Sequence, residues 1–191
     1  MNNQMIKLFK KEIDVSFNIK FSVEKNLLQE EIFKILSNDS LIIEWFQHLE
    51  FFQIRWFIEN LYLYNVNELL DGQIGYSIDS NTNKPIPSWN KNWLVIGYAS
   101  SDPIIYNLKT KKIYSSIHGT GNWDLILISN NFEEFLTLLN LWITTISNKN
   151  IIYNEYGEIK ESILSEFKEL INDACLDKNL YEHFIKLDWI Y

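Results

Sequence analysis

Apolar residues recur at two different spacings along this chain, and the spacing changes near residue 54. In residues 22–36 and again in 41–49, apolar side chains return every three or four positions, which predicts two helices. Ser22 and the Asn-Asp-Ser segment at 38–40 are residue types that cap the first turn of a helix. Between residues 54 and 64 apolar positions alternate with their neighbours, which predicts one or two strands.

A short helix and a loop separate this strand region from a run of further strands. Asn65 and Glu68 have capping-box spacing, which predicts a short helix that ends near Gly72. Residues 79–92 contain two of the three prolines and predict a loop. Four short apolar runs then follow, at residues 93–98, 104–108, 113–117 and 125–128. Because their turn-forming links are too short for parallel crossovers, they predict an antiparallel meander.

The rest of the chain is predicted to be helical. Asn130 is placed to cap a helix, with Glu133 as its capping-box partner. An apolar stripe over residues 159–171 predicts a second helix, and residues 181–185 a shorter one. The buried stripe of the helix after Asn130 is predicted to consist of Phe132, Phe135, Leu136, Leu139, Trp142, Ile143 and Ile146.

Together these elements predict one α+β domain over residues 1–191. Residues 1–60 would supply the N-terminal helices and the first strand, and residues 61–146 the core sheet and its helix. Residues 147–191 are then a helical C-terminal extension, joined through the polar segment at 147–150. We expect a mixed, mostly antiparallel sheet with helices packed on it.

Charge and aromatic content narrow the class of partner. The 191 residues include 25 acidic and 17 basic side chains, for a formal charge of −8. This surface would repel a phosphate backbone, so we expect no nucleic-acid partner, whereas a basic protein would be attracted. Seven Trp, ten Tyr and twelve Phe exceed the need of one small core, which favours some aromatic side chains on a binding face.

The cellular compartment is predicted from what the sequence lacks. Cys175 is the only cysteine, so no intrachain disulfide can form. The N-terminal residues do not form a signal-peptide pattern, and no apolar run approaches the length of a bilayer span. We therefore expect a cytoplasmic protein with no membrane partner, monomeric or weakly homodimeric.

Residues able to carry chemistry are few and scattered. His48, His118 and His183 do not have metal-ligand spacing, and the sequence has no nucleophile elbow or phosphate-binding loop. Asp102 and His118 fall in turns of the same meander, where they could form an acid/base pair or, as we favour, a hydrogen bond between two loops. We expect no enzyme activity, no metal and no cofactor; a hydrolase built on this pair is the least favoured alternative.

A series of short motifs between Trp89 and Trp142 resembles the core of the SUKH superfamily, a group named partly for a yeast cell-wall assembly regulator. Bacterial members have a strand that ends in Ile-Gly, a Gly-Asp-Pro turn, a His-Gly-x-Gly-x-Trp turn and a helix that opens with F-x-x-F-L. The residues that carry the resemblance here are Ile96-Gly97, Ser101-Asp102-Pro103, His118-Gly119-Thr120-Gly121-Asn122-Trp123 and Phe132-Glu133-Glu134-Phe135-Leu136. Ser101 replaces the family's glycine, and the C-terminal helices are additional.

Physical chemistry gives the motif residues structural roles. Gly119 and Gly121 can adopt positive φ in a tight connection, and Gly97 can admit a close neighbour at a strand end. Pro103 favours a turn beside an extended strand. We expect Trp89 and Trp123 to cover a face of the sheet. Phe132 and Phe135 are expected to pack the following helix onto that sheet.

The resemblance also implies a function. Bacterial relatives commonly act as immunity proteins that neutralise a cognate toxin, often a nuclease or deaminase, by binding it. The alternative from another class is an intracellular scaffold or regulatory adaptor, as the eukaryotic relatives are. For contact with the partner we select Trp89, Asp102, His118 and Asn122, although a packing or loop-tethering role competes with this at each position.

Overall fold

The fold is a seven-stranded antiparallel sheet with helices packed on it. The computed structural model describes residues 17–22, 28, 30–36, 39–56, 59–120, 122–147, 149, 152–174 and 176. Within them the strands are β1 (Phe17–Phe21), β2 (Leu49–Trp56), β3 (Glu59–Leu63), β4 (Trp93–Ala99), β5 (Asp102–Asn107), β6 (Ile113–Ser115) and β7 (Ile126–Ser129). The helices are α1 (Glu30–Leu36), α2 (Ser40–His48), α3 (Phe132–Ile146) and α4 (Glu161–Asp173).

The predicted α+β class and the antiparallel meander are confirmed. The predicted runs correspond to β4–β7, and β1–β3 continue the same pattern, so that each strand pairs antiparallel with the next one along the chain. The expected parallel component is not found among the described strands of the sheet, and the parallel bridge between Ile74 and Ile78 lies outside them. The meander is therefore longer than the sequence pattern indicates.

The N-terminal segment differs from the prediction in where strands begin. β1 is absent from the predicted elements, although Phe17, Ile19 and Phe21 alternate with polar residues. β2 begins at Leu49, directly after α2, because Leu49 pairs with Phe21 in the sheet. The predicted cap of α2 is confirmed, since the Asp39 carboxylate accepts hydrogen bonds from the backbone N–H groups of the first turn. Residues 23–27, in the first half of the helix predicted from Ser22, lie outside the described residues.

The short helix predicted after Asn65 is replaced by turns and a 3₁₀ turn at Asp71–Gln73. The capping box itself forms, because the Glu68 carboxylate accepts the Asn65 N–H at 2.9 Å and the Asn65 side chain accepts the Glu68 N–H. The segment forms a 3₁₀ turn because the side-chain amide of the buried Gln73 hydrogen-bonds to strand β4. Gln73 donates to the Val95 carbonyl at 2.8 Å and accepts the Val95 N–H at 3.0 Å, as a neighbouring strand would.

The helix after β7 begins one residue later than predicted. Asn131 rather than Asn130 is the cap, and its side chain accepts the Glu134 N–H at 2.8 Å. The capping-box carboxylate is likewise Glu134 rather than Glu133, and it accepts the Asn130 N–H. The shift occurs because Ser129 still pairs in the sheet, which leaves Asn130 in the bend. The predicted buried stripe of this helix is confirmed at every position.

The core lies between one face of the sheet and helices α2 and α3. Trp45 of α2 contacts Phe52 of β2 and Phe132 of α3, with ring centroids 5.6 and 5.8 Å apart. The Tyr106 hydroxyl of β5 donates to the Asp39 carboxylate at 2.6 Å, which fixes the start of α2 to the sheet. Phe132 and Phe135 therefore dock α3, as the sequence predicts.

The C-terminal region packs on this core through α4. Ile163, Phe167 and Ile171 form the buried stripe of α4, and the Phe167 ring lies 5.3 Å from that of Trp142 in α3. The predicted helix is thus confirmed, with Ile159 placed just before it in a bridge to Tyr153. Cys175 and the short helix predicted at 181–185 lie outside the described residues. In the part of the chain that is described, no helix combines the length and apolar character of a membrane span.

Candidate functional site

Strands β2, β3 and β4 present an outer face on the side away from the core. Since side chains alternate along a strand, the buried Phe52, Leu61 and Leu63 place their neighbours on the opposite face. On that face Gln53 pairs with Tyr62, and Tyr62 pairs with Tyr98. The result is a groove of about 510 Å³, here called the tyrosine groove. It is lined by Phe51, Gln53, Asn60, Tyr62, Tyr98 and Ser100.

The aromatic rings of the groove form one connected network. Tyr62 lies at the centre, with its ring centroid 5.4 Å from the rings of both Phe51 and Tyr98. Tyr64 extends the network, at 6.0 Å from Tyr62 and 5.8 Å from Tyr98. These separations are typical of favourable edge-to-face and tilted aromatic pairs. The groove therefore has a packed aromatic floor rather than flexible aliphatic side chains.

A side-chain hydrogen bond fixes the central tyrosine. The Tyr62 hydroxyl donates to the Glu68 carboxylate, which the Asn65 capping box holds in place. Burial raises the pKa of Tyr62 well above its ordinary value, and the Glu68 carboxylate raises it further. Tyr62 is accordingly a neutral phenol that donates to a carboxylate.

Asp102 and His118 form a close pair between the start of β5 and the turn after β6. The Asp102 carboxylate is buried and accepts the His118 backbone N–H at 2.7 Å, and it lies 2.5 Å from His118 Nδ1. The His118 side chain remains 55% exposed. The pair thus connects the start of β5 to the turn after β6, as the favoured prediction of a hydrogen bond between two loops requires. One edge of the His118 imidazole remains at the surface.

A tryptophan cluster supports the same turns. Trp89 has its ring 5.1 Å from Trp123 and 5.4 Å from Trp93, and its indole N–H donates to the Trp93 carbonyl at 3.0 Å. Tyr76 packs on Trp89 and Trp123, and its hydroxyl donates to the Ser101 carbonyl at 2.8 Å. This cluster connects the 79–92 loop to the β4–β5 turn.

The other motif residues have the following positions. Gly119 has φ of +76°, as predicted, and Gly121 lies outside the described residues. Gly97 packs against β3 so closely that a Cβ there would lie 2.2 Å from the Tyr62 carbonyl. Pro103 is buried in β5 opposite Tyr98. Asn122 is exposed, and its carbonyl accepts the Thr120 hydroxyl at 2.8 Å.

The predicted contact residues therefore fall into two groups. Trp89 and Asp102 are buried and held by internal partners, whereas His118 and Asn122 are exposed at the surface. Contact with a partner stays a prediction for all four. The structure adds the tyrosine groove, which extends along β4 to Tyr98 and to Ser100 in the turn that leads to Asp102.

Chemistry at the Asp102–His118 pair would require a nucleophile or an activated water. A carboxylate on Nδ1 orients an imidazole as a general base requires, and no described residue hydrogen-bonds to Nε2. The hydroxyls of Ser115 and Ser116 are buried and have no hydrogen-bond partner among the described residues. Nor do three His, Cys, Asp or Glu side chains gather in the described ranges as a metal ion would need.

Comparison with known proteins adds no assignment. No protein-family model matches the chain, and no curated protein sequence matches it. The SUKH resemblance therefore remains a prediction, based on the motifs between Trp89 and Trp142.

The sequence pattern contains one signal for the groove. Tyr62 stands between the core residues Leu61 and Leu63, so that its side chain is on the face away from the core. Asn60 lies on the same face of β3, two positions before Tyr62. Phe51, Gln53, Tyr98 and Ser100 come from β2, β4 and the following turn, and only the strand register brings them next to Tyr62.

Burial of the tyrosines predicts a loss of stability at alkaline pH. Burial, then the charge of Asp102, raises the pKa of Tyr76 from 10.0 to about 12 in the folded protein. The folded state therefore holds this proton more tightly than the unfolded state, so the stabilisation is complete below pH 10 and is lost as pH rises from 10 towards about 12. Urea unfolding across this range should show a falling free energy of unfolding. The fall should be less steep in Tyr76→Phe, and an unchanged slope would contradict the assignment.

Proposed function

We propose that this chain is an immunity-type protein that acts in the cytoplasm by binding a basic toxin protein and covering the toxin's active site. The toxin class is suggested by the SUKH-like motifs, and nucleases and deaminases are the toxins expected. The protein itself performs no catalysis in this proposal. The observation that carries it is the open tyrosine groove, a preformed aromatic surface on the outer face of the sheet.

Two properties of the groove, and two exposed side chains beyond it, suit protein docking. Tyrosine side chains provide large, rigid contact area with a polar tip, and they are enriched among the residues that dominate binding energy at interfaces. The six side chains that line the groove are uncharged, so none of them is an ionised group that loses its hydration when a partner covers the groove. The exposed His118 and Asn122 lie on the turn tethered by Asp102, and they extend the proposed contact beyond the groove.

Net charge supports a basic partner. The charge of −8 would steer a positively charged protein towards this chain and raise the rate of association. Enzymes that act on nucleic acids present basic clefts for the phosphate backbone, which an acidic protein can occupy. Charge thus suggests the class of partner, and the groove suggests where that partner docks.

The proposal predicts a complex with the toxin encoded by an adjacent gene. The two purified proteins should form a stoichiometric complex by size-exclusion chromatography with light scattering, and co-expression should restore growth. Tyr98→Arg places a positive charge in the groove and should weaken binding by at least about thirtyfold, because like charges at an interface are strongly unfavourable. Calorimetric titration would measure the change in affinity.

The matched control is Tyr156→Arg. Tyr156 is 79% exposed in the C-terminal region, so the same chemical change alters net charge equally without touching the groove. Equal weakening by both variants would show that only net charge matters and would contradict docking at the groove. Recovery of several endogenous proteins and no toxin in a pull-down would instead identify a scaffold or adaptor.

A further inference from the structure

Several polar side chains that line the tyrosine groove make no hydrogen bond to a described residue. Gln53, Asn60 and Ser100 contribute side-chain oxygens, and none of them has a side-chain hydrogen bond to a described residue. The Tyr98 hydroxyl likewise has no described partner. Asn60 and Ser100 are exposed and Gln53 and Tyr98 are half-buried, so these groups bond to water until an incoming group displaces it. Here they surround an aromatic floor and can accept hydrogen bonds from an incoming group.

The aromatic floor is suited to a cation. Aromatic faces carry partial negative charge and attract cations placed over them. The Tyr62 hydroxyl donates a hydrogen bond to the Glu68 carboxylate. This hydrogen bond increases the electron density of the Tyr62 ring, which lies at the centre of the floor. The Glu68 carboxylate also adds a negative charge at the hydroxyl end of that ring. Both effects strengthen attraction for a positive group over Tyr62.

Two described cations on or next to the strands that carry the groove, Lys20 and Arg55, are engaged elsewhere. Lys20 of β1 lies opposite Phe51 in the sheet, but its ammonium group is 2.6 Å from the Glu50 carboxylate. Arg55 of β2 pairs with Asn60, but its guanidinium lies 4.6 Å over the ring of Tyr153. The same structure thus already places one arginine over a tyrosine, and neither cation lines the groove.

From these observations we infer that the tyrosine groove receives an arginine side chain of the partner protein, stacked on Tyr62 and Tyr98 and donating to Gln53, Asn60 and Ser100. This inference rests on the proposed function, because it assumes a basic protein as partner. Arginine fits better than lysine, since its planar guanidinium stacks on rings and presents several donors in one plane. The groove residues are then the specificity-determining contacts of the docking surface.

The test uses peptides as probes and needs no toxin. A short oligoarginine peptide is titrated into the isotope-labelled full-length protein, and the backbone resonances of Gln53, Tyr62 and Tyr98 are followed by NMR. We expect these resonances to shift most. An oligolysine peptide of the same length should bind more weakly, and an oligocitrulline peptide, which has the same shape without charge, should not bind. Shifts confined to other surfaces, or equal binding of citrulline, would overturn the inference.

Substitutions separate the groove from general attraction to an acidic surface. Tyr62→Leu and Tyr98→Leu should each weaken oligoarginine binding by about tenfold, the loss expected for a partly desolvated cation–π contact. Tyr62→Phe keeps the ring and should bind better than Tyr62→Leu. Tyr156→Leu removes an exposed tyrosine outside the groove and should leave affinity unchanged. Equal affinities across all four variants would refute recognition by the groove.

The two proposals can fail separately. A protein that neutralises the adjacent toxin but shows no arginine binding in the groove would retain the immunity role and lose this inference. Arginine binding at the groove without any toxin partner would leave the inference intact and overturn the immunity role.

Discussion

Replacing Trp142 with alanine is expected to lower the free energy of unfolding by about 3–5 kcal/mol, the range for deleting a large aromatic side chain from a core. Trp142 is fully buried in α3 and contacts Phe167 of α4. Its indole N–H donates to the Arg55 carbonyl of β2 at 2.7 Å. The Trp142 side chain therefore joins α3 to both the sheet and α4. Its loss should weaken the packing of α3 on β2 and on α4. Urea unfolding followed by far-UV circular dichroism would measure the effect.

A control at an exposed aromatic residue and a smaller change at Trp142 itself complete the test. Tyr156→Ala removes an aromatic ring that is 79% exposed and should change stability little. Trp142→Phe retains most of the buried ring but leaves the Arg55 carbonyl without its donor, and we expect an intermediate loss. Should Trp142→Ala cost no more than Tyr156→Ala, the packing of α4 on α3 would be wrong.

Helix positions are predictable because the apolar pattern repeats over many residues and because a helix begins at a residue type that caps it. The stripe of α3 repeats over four turns, and Asp39 caps α2 as its side chain requires. Sequence alone places the cap of α3 one residue early because two asparagines stand side by side. Only the end of β7 at Ser129 decides between Asn130 and Asn131.

The N-terminal strands are harder to predict because helical and strand patterns meet at Leu49. An apolar residue there extends the stripe of α2, but it also starts the alternation of β2. Its pairing with Phe21 in β1 resolves the ambiguity. That pairing joins segments 28 residues apart in the chain, and local pattern carries no information on such contacts.

The candidate site is predictable in part for the same reason. Short turns of one meander carry both Asp102 and His118, so the sequence predicts that they meet, and they do. The tyrosine groove depends instead on register across β2, β3 and β4, where shifting one strand by one residue would move Tyr62 to the core face. The aromatic excess is visible in the composition, but the location of the groove is not.

Register across these strands leads to a second large effect, at Gly97. Gly97→Ala is expected to lower the free energy of unfolding by about 3 kcal/mol, at the upper end of the range for overpacking a core. Its Cβ would lie 2.2 Å from the Tyr62 carbonyl and 2.8 Å from a Leu63 methyl group, so β3 must move away from β4. Since Tyr62 and Tyr98 lie opposite each other across this pair of strands, the groove should open. Urea unfolding and oligoarginine titration would record both changes.

Gly119→Ala is the control that separates steric contact from backbone strain. Gly119 has φ of +76°, and an added Cβ would meet no atom within 4 Å, so alanine there is expected to cost only about 1 kcal/mol. It lies in the turn after β6, outside the groove, and should leave oligoarginine affinity unchanged. If Gly97→Ala behaves like Gly119→Ala in both measurements, β3 and β4 do not approach closely at Gly97. The register that creates the tyrosine groove would then be wrong as well.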